Sequence, residues 1–250
     1  MTDSIDTIGR FDDRARDYVR YRPTYPAGAI DAILQDLPAA ASLTAADIGA
    51  GTGISARLLG DRGVHVIAVE PGSAMRGAAE PHPHVTWIAA RAESIGLRAE
   101  SVHLVVCAQA FHWFASAAAV AEFARVLKPE GRLAIMWNRR SKTDPLTAGY
   151  RQAILDVGGE TAAERMGFDV AIVTASEHFA PVERLAFPNE QPLDLEGLVG
   201  RARSASYVPK TGEAGDRLRE LLGELHGRHA DANGVVRLIY ETEVFRFTRR

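Results

Sequence analysis

The sequence predicts a doubly wound α/β fold: a Rossmann-like, seven-stranded, mostly parallel sheet with an N-terminal helical arm and a helical insertion after the fifth strand. Three observations carry this. Short continuous apolar runs recur through the first 140 residues, as expected of strands buried on both faces of a parallel sheet. Helical stretches lie between several of them. A glycine turn, Gly49-Ala50-Gly51-Thr52-Gly53, follows the first run and opens a helix, the arrangement of a ligand site at the carboxyl edge of such a sheet.

In chain order, residues 11–22 have helical spacing, with Phe11, Ala15, Tyr18 and Val19 on one face, and Pro23 ends the run. Pro26 opens a second helix through about Leu37. The density of aromatic and arginine residues suggests an arm or lid over 1–38, although a solvated amphipathic helix has the same pattern. Strands are expected at 43–48, 64–69, 85–89, 102–108 and 132–137. Helices are expected at 53–59 and 115–127, the latter closed by Lys128-Pro129-Glu130-Gly131.

After Asn138 the pattern changes. Asp144-Pro145 forms an N-cap and first-turn pair for a helix to Val157, stopped by Gly158-Gly159. Further helices are expected at 162–171, 194–203 and 213–229, a sixth strand at 182–187 and a last strand at 235–247. With no clear linker or repeat, 1–250 reads as one domain: arm (1–38), cofactor-binding core (39–140), helical insertion with the sixth strand (141–230) and last strand (231–250).

Composition excludes several classes. With 29 Lys and Arg against 32 Asp and Glu, the net charge is −3, so no overall field draws the chain to nucleic acid or an anionic membrane. The single cysteine, Cys107, permits no intramolecular disulfide and no cysteine-rich zinc site, and its apolar surroundings suit a buried thiol. The first residues lack the charge and apolar pattern of a signal peptide, and no apolar stretch reaches the roughly 18 residues of a membrane span. A cytoplasmic protein is expected. No His, Asp or Glu spacing suggests a metal site.

The glycine turn alone is a weak signal. A dinucleotide site needs G-x-G-x-x-G, whereas here Ile54 follows Gly53 at the place of the third glycine. Its partners sharpen it. Glu70 stands at the tip of the second strand, where a carboxylate can accept hydrogen bonds from both hydroxyls of a ribose; a solvated loop acid is the plainer alternative. Arg91-Ala92-Glu93 follows the third strand, where backbone could meet an adenine edge, and Gln109 lies just past the fourth.

These motifs resemble those of class I S-adenosylmethionine-dependent methyltransferases, and most closely the small-molecule enzymes of the trans-aconitate methyltransferase type. The likeness rests on Phe11…Tyr18…Tyr21-Arg22-Pro23-x-Tyr25-Pro26, Asp47 to Gly53, Val69-Glu70-Pro71, Ala92-Glu93 and Ala108 to Phe114, and it continues more weakly through 203–207. The resemblance implies S-adenosyl-L-methionine as methyl donor, with S-adenosyl-L-homocysteine as product. It implies that Gly49, Ala50, Gly51 and Gly53 lie against the methionine moiety and that Asp47 meets its amino group. Glu70 and Pro71 would border the ribose, and Ala92 and Glu93 the adenine. Gln109 would lie near the methionine end. Tyr18 and Arg22 would close over the cofactor, Arg22 with a forked cation suited to a carboxylate. Relatives often carry glycine or aspartate where this chain has Ala90-Arg91-Ala92, so adenine contacts there would rely on backbone.

For the chemistry, His112 at the mouth of the fourth strand suits a general base or hydrogen-bond donor, and equally a structural histidine. Trp113 and Phe111 could wall a substrate pocket. Arg139, Tyr150 and Tyr207 are candidate substrate contacts, Arg139 with a surface ion pair as its alternative. The expected reaction is methyl transfer to a small-molecule acceptor, to carboxylate or hydroxyl oxygen ahead of nitrogen, with neither nucleic acid nor membrane as partner. A protein of the same fold that binds the donor without transferring methyl, acting as a regulator, cyclase or isomerase, stays open.

Overall fold

The structure is a computed structural model that describes residues 19–158, 169–205, 208–209 and 211–250. Most of the helix expected at 11–22, and the first seven residues of the one expected at 162–171, lie outside the described residues.

Seven strands form one sheet: β1 (Thr44–Ile48), β2 (His65–Val69), β3 (Val85–Ile88), β4 (Val102–Ala108), β5 (Leu127–Arg140), β6 (Glu183–Leu193) and β7 (Val236–Thr248). Their order is β3-β2-β1-β4-β5-β7-β6. Pairs among β1 to β5 are parallel, whereas β7 runs antiparallel to both β5 and β6. The helices are α1 (Ala27–Leu34), α2 (Ile54–Gly60), α3 (Ser73–Gly77), α4 (Ala117–Val126), α5 (Pro145–Gly158), α6 (Ala171–Thr174), α7 (Leu195–Arg203) and α8 (Gly212–His229).

The continuous apolar runs are explained by burial on both faces. Along β4, Val105 and Cys107 pack with α4 on one side, while Leu104 and Val106 pack with α1 and α2 on the other. Leu133 and Ile135 of β5 divide in the same way from Ala134 and Met136. A third apolar cluster joins α5, α7 and α8 to the ends of β6 and β7 through Tyr150, Leu198, Leu222 and Leu238. Caps set the helix starts. Ser116 Oγ accepts the Ala119 amide hydrogen at 3.2 Å, Asp144 Oδ1 that of Thr147 at 2.7 Å, and Asp194 Oδ1 that of Gly197 at 2.7 Å.

Two elements differ from expectation. Lys128 to Gly131 does not form a separate turn after α4. Those residues bulge within β5, between the pairs Val102–Leu127 and Leu104–Arg132, with Glu130 at φ 61°. The sixth strand continues past Phe187 to Leu193 and includes Pro188 and Pro192. As the edge strand it needs partners on one side only, so prolines that would break a central strand are tolerated. Among the described residues, no helix is long and apolar enough to cross a membrane.

Candidate functional site

The carboxyl ends of β1 to β4 open onto one cavity of about 150 Å³. Its lining includes Gly49 and Gly51 after β1, Glu70 and Pro71 after β2, Ala92 and Glu93 after β3, and Gln109 and Trp113 after β4. Parallel strands place these tips side by side although they lie far apart in sequence.

The glycine turn is fixed by its backbone. Gly49, Gly51 and Gly53 all have positive φ (68°, 58° and 80°). The amides of Gly49 and Ala50 both donate to the carbonyl of Val69, at 2.8 and 3.1 Å, tying the turn to the end of β2. A Cβ on Gly49 would stand 2.7 Å from that of Ala110, so the turn and the segment after β4 meet only because that atom is absent.

Glu70 is clamped beneath this turn. Its Oε2 accepts the Gly51 amide hydrogen at 2.9 Å and its Oε1 that of Gly72 at 2.8 Å. Burial raises its pKa, and the two amides oppose that rise. A carboxylate oxygen accepts more than one hydrogen bond, so both retain acceptor capacity toward the cavity that Glu70 lines.

Gln109 occupies the left-handed region (φ 57°) and donates its amide hydrogen to Met136 O at 2.9 Å. Its side chain donates from Nε2 to Asn138 O at 3.3 Å. Asn138, buried on β5, in turn holds the arm: its Nδ2 donates to Thr24 O at 3.1 Å, and its Oδ1 accepts from Thr242 and Asn189. Gln191 Nε2 donates to Tyr21 O at 2.9 Å. Gly200 of α7 supplies the flat surface on which the Tyr21 ring rests, since a Cβ there would overlap that ring.

Several expected contacts stand elsewhere. Asp47 does not reach the cavity. It is fully buried under the turn, where its Oδ2 accepts from Ser55 Oγ at 2.6 Å, while Oδ1 has no hydrogen-bond partner among the described residues. Desolvation pushes its pKa up to about 7, with the Glu70 charge adding a smaller rise. Asp47 therefore braces the start of α2 from behind. Ala50 and Gly53 also lie off the cavity lining; Gly53 makes room for the Trp87 ring, which a Cβ would approach to 2.9 Å. Arg22 Nη2 donates to Ser204 O at 3.1 Å and is not part of the lining.

Arg139 pairs instead with the buried carboxylate of Glu243, at 3.1 Å, which Arg184 also holds. Tyr150 is buried in the helical cluster beneath α5, away from the cavity lining. Phe111 belongs to the core, and Phe114, edge-on to it at 6.0 Å between ring centroids, lines the cavity in its place. Tyr18 and Tyr207 lie outside the described residues.

His112 stands behind Trp113. Its ring centroid is 4.5 Å from that of Trp113 and 4.8 Å from that of Trp137. Burial, and then the Arg22 charge, push its pKa down to about 4, so the imidazole is neutral at physiological pH. It is not part of the cavity lining. Met75 is a lining residue that sequence reasoning missed. Its only signal was a position one turn beyond Glu70-Pro71.

Comparison with known proteins places the fold among methyltransferases. The family model for a methyltransferase domain matches residues 46–135, from β1 into β5. An uncharacterised methyltransferase of Mycobacterium tuberculosis is 36% identical over 239 residues, 92% of each chain. An uncharacterised methyltransferase-like protein of Schizosaccharomyces pombe is 33% identical over 215 residues, 85% of this chain and 83% of that one. A solved structure from Anaeromyxobacter dehalogenans, provisionally described as a type II methyltransferase, superposes with a TM-score of 0.73 at 25% identity, over 90% of this chain and 97% of that one. The phosphoethanolamine N-methyltransferase 2 of Haemonchus contortus, solved with phosphomonomethylethanolamine and S-adenosylhomocysteine, shares the fold (TM-score 0.56, 14% identity, 95% of this chain and 57% of that one).

Proposed function

We propose that this chain, which belongs to the class I S-adenosylmethionine-dependent methyltransferases, transfers a methyl group to a small-molecule acceptor, with carboxylate or hydroxyl oxygen favoured over nitrogen. S-adenosylmethionine is its methyl donor. The single observation that carries the site is the Glu70 carboxylate, held by two backbone amides at the cavity edge with acceptor capacity to spare.

The residues present fit that donor. A ribose presents two hydroxyl donors, and Glu70 offers two oriented acceptor oxygens. Ala90, Ala92 and Met75 give an apolar slot suited to an adenine, beside Pro71 and with Glu93 at its rim. Gly49, Gly51 and Gln109 form the far wall, where the methionine part would lie. When bound, the donor supplies an electrophilic methyl group on a sulfonium. The chain's contribution is alignment of the acceptor and exclusion of water, which on their own account for much of the rate of such a displacement.

Trp113 on the cavity wall, together with the arm and the helices of 141–230, is read as bounding the acceptor side. His112 is read as a neutral packing group against Trp113 and Trp137 rather than a base, because a pKa of about 4 makes it a weak proton acceptor. Residues 1–250 are read as one methyltransferase unit. Titration calorimetry with S-adenosylhomocysteine tests the cofactor site: binding to the native chain, weakened about tenfold or more by Glu70→Ala, supports it. Unchanged affinity in that variant removes Glu70 from the site. Incubation with labelled donor and candidate acceptors then separates transfer from binding alone.

A further inference from the structure

Lysine occurs in this chain only at Lys128, Lys142 and Lys210. Lys128 opens the bulge of β5, where Lys128 to Gly131 lie opposite His103 alone, between the pairs Val102–Leu127 and Leu104–Arg132. The bulge is tied to the end of β7, since Gly131 O accepts the Arg249 amide hydrogen at 2.8 Å. Both Lys128 and His103 are half-buried, and the next two residues of the bulge, Pro129 and Glu130, are exposed. This pair stands at the amino edge of the sheet. His103 is five residues before Ala108 on β4, roughly 17 Å from the carboxyl edge at 3.3 Å per residue, and neither His103 nor Lys128 lines the cavity.

Hydrogen-bond roles at His103 decide what Lys128 presents to it. The Thr44 amide, on the neighbouring strand β1, donates to His103 Nδ1 at 3.1 Å, so Nδ1 carries no proton. Burial lowers the pKa of this histidine, which keeps the ring neutral. A neutral imidazole with a bare Nδ1 holds its one proton on Nε2. That Nε2 lies 2.8 Å from Lys128 Nζ. Nε2 is therefore the donor, and the lysine nitrogen receives the bond with a lone pair. An ammonium has three donors and no acceptor, and would meet Nε2–H hydrogen to hydrogen. A second observation points the same way: no carboxylate pairs with Lys128 among the described residues.

We propose that Lys128 is an acylation site: an amine nucleophile that takes an activated acyl group from an acyl phosphate or an acyl thioester, with His103 as its positioning residue. Ordinary surface lysines are almost wholly protonated near neutral pH and have no lone pair to offer. Lys128 has one, and leaves a single hydrogen bond to His103 when it turns to an electrophile at the exposed side of the bulge. The lone pair attacks the acyl carbonyl carbon and forms a C–N bond. The bond from that carbon to the phosphate oxygen or thiol sulfur breaks, and its electron pair leaves on phosphate or thiolate. The nitrogen gives one proton to water or to the departing anion. His103 is not the base in this step, because its Nδ1 is occupied by the Thr44 amide. The product is an amide, whose carbonyl oxygen is an acceptor for the same Nε2–H.

The test exposes the native chain to a limiting amount of acetyl phosphate and, in a separate arm, of acetyl-coenzyme A, and follows each lysine by peptide mass spectrometry. Lys142 and Lys210 are the internal standards. Lys128 is expected to be acetylated about tenfold or more faster than either, and the arm in which this happens identifies the source of the acyl group. His103→Asn keeps an acceptor for the Thr44 amide near the place of Nδ1 and removes Nε2 alone. In that variant the Lys128 rate is expected to fall to that of Lys142. Nitrogen NMR of the native chain needs no variant, and is expected to find His103 protonated on Nε2 and bare on Nδ1. The acetylated native chain is expected to bind S-adenosylhomocysteine within about twofold of the unmodified one, because the pair stands at the far edge of the sheet. Lys128 labelled no faster than Lys142 in both arms overturns the proposal. A proton on Nδ1 of His103 overturns it as well, and so does a fast Lys128 whose rate is unchanged in a folded His103→Asn variant, which makes the reactivity a matter of exposure alone.

Discussion

Glu70 Oε2 accepts the Gly51 amide hydrogen at 2.9 Å, which joins the acid at the end of β2 to the glycine turn at the end of β1. The second oxygen is held by Gly72 in the same way. The carboxylate thus reaches the cavity already oriented, and less rotamer freedom is lost when a ligand binds. Glu70→Ala leaves both amides without that acceptor. A loss of roughly 1–3 kcal/mol in thermal or urea unfolding should accompany the weakened binding of S-adenosylhomocysteine. Glu70→Gln, which keeps one carbonyl acceptor, should fall between the native and alanine proteins in both measurements.

Gly49→Ala tests whether close approach, beyond backbone freedom, demands glycine. The new Cβ would meet Ala110 at 2.7 Å and Phe114 at 3.0 Å in a backbone at φ 68°. Left-handed strain and overpacking together should cost about 2–5 kcal/mol. Gly63 has φ 86° but nothing within 4 Å of a built Cβ, so Gly63→Ala should cost only the strain, about 1–2 kcal/mol. Equal melting temperatures for the two variants would contradict the packing argument.

Asp47 makes stability depend on pH in an unusual direction. Its folded pKa is raised to about 7 from the usual aspartate value of 3.8, so between these values the folded state binds more protons than the unfolded one. Stability contributed by the protonated carboxyl is therefore full below about pH 4 and is lost as pH rises toward and through 7. Asp47→Asn keeps an acceptor for Ser55 Oγ without the charge. Its melting temperature relative to the native protein should increase from pH 5 to pH 8, by an amount on the order of a few kcal/mol in stability. A constant difference across that range would refute the buried ionisation.

His112 acts in the opposite sense. Its folded pKa lies near 4, below 6.5, so the unfolded state binds the extra proton and stability falls as pH drops from about 6.5 toward 4. Over much of the acid range the slopes from His112 and Asp47 oppose each other, and each single variant should unmask the other. His112→Gln should flatten the acid limb. Nitrogen NMR of the imidazole should find it neutral down to about pH 5. A titration midpoint at 6.5 would show instead that the ring is solvated.

The arm is held at Asn138. Its amide side chain bonds Thr24 O and its carbonyl receives Gln109 Nε2, so arm and cavity wall share one residue. Asn138→Ala should release residues 19–25 and speed protease cleavage there, by about tenfold for each 1.4 kcal/mol of docking free energy lost. Cleavage at the native rate would mean that Asn189, whose Nδ2 also donates to Thr24 O at 3.0 Å, Gln191 and the Tyr21–Gly200 contact suffice.

Much of this was legible in the sequence. Strands β1 to β5 announce themselves because both faces are buried, which makes them apolar throughout, as in Val64 to Val69. Gly49, Gly51, Glu70 and Gln109 were legible as cavity-lining residues because a parallel sheet gathers its carboxyl ends at one edge. The residues that stood elsewhere share a different cause. Asp47 and Arg139 near strand ends, and Tyr150 within α5, have chemically suitable side chains, but which way a side chain faces depends on what packs against it. For these three the answers were Ser55, Glu243 and the helical cluster.

The sequence by itself determined the order of elements, the glycine turn at the cavity and the acid beneath it, because these follow from periodicity and from glycine's backbone freedom. Tertiary structure decided the rest. It placed prolines in β6 by making that strand an edge, and it tied the arm to Gln109 through Asn138. It also brought Arg22 and Arg201, 179 positions apart in the chain, to the same Ser204. Contacts at such separation leave no local pattern, because they are fixed only when the helices of 141–230 and the arm pack over the sheet.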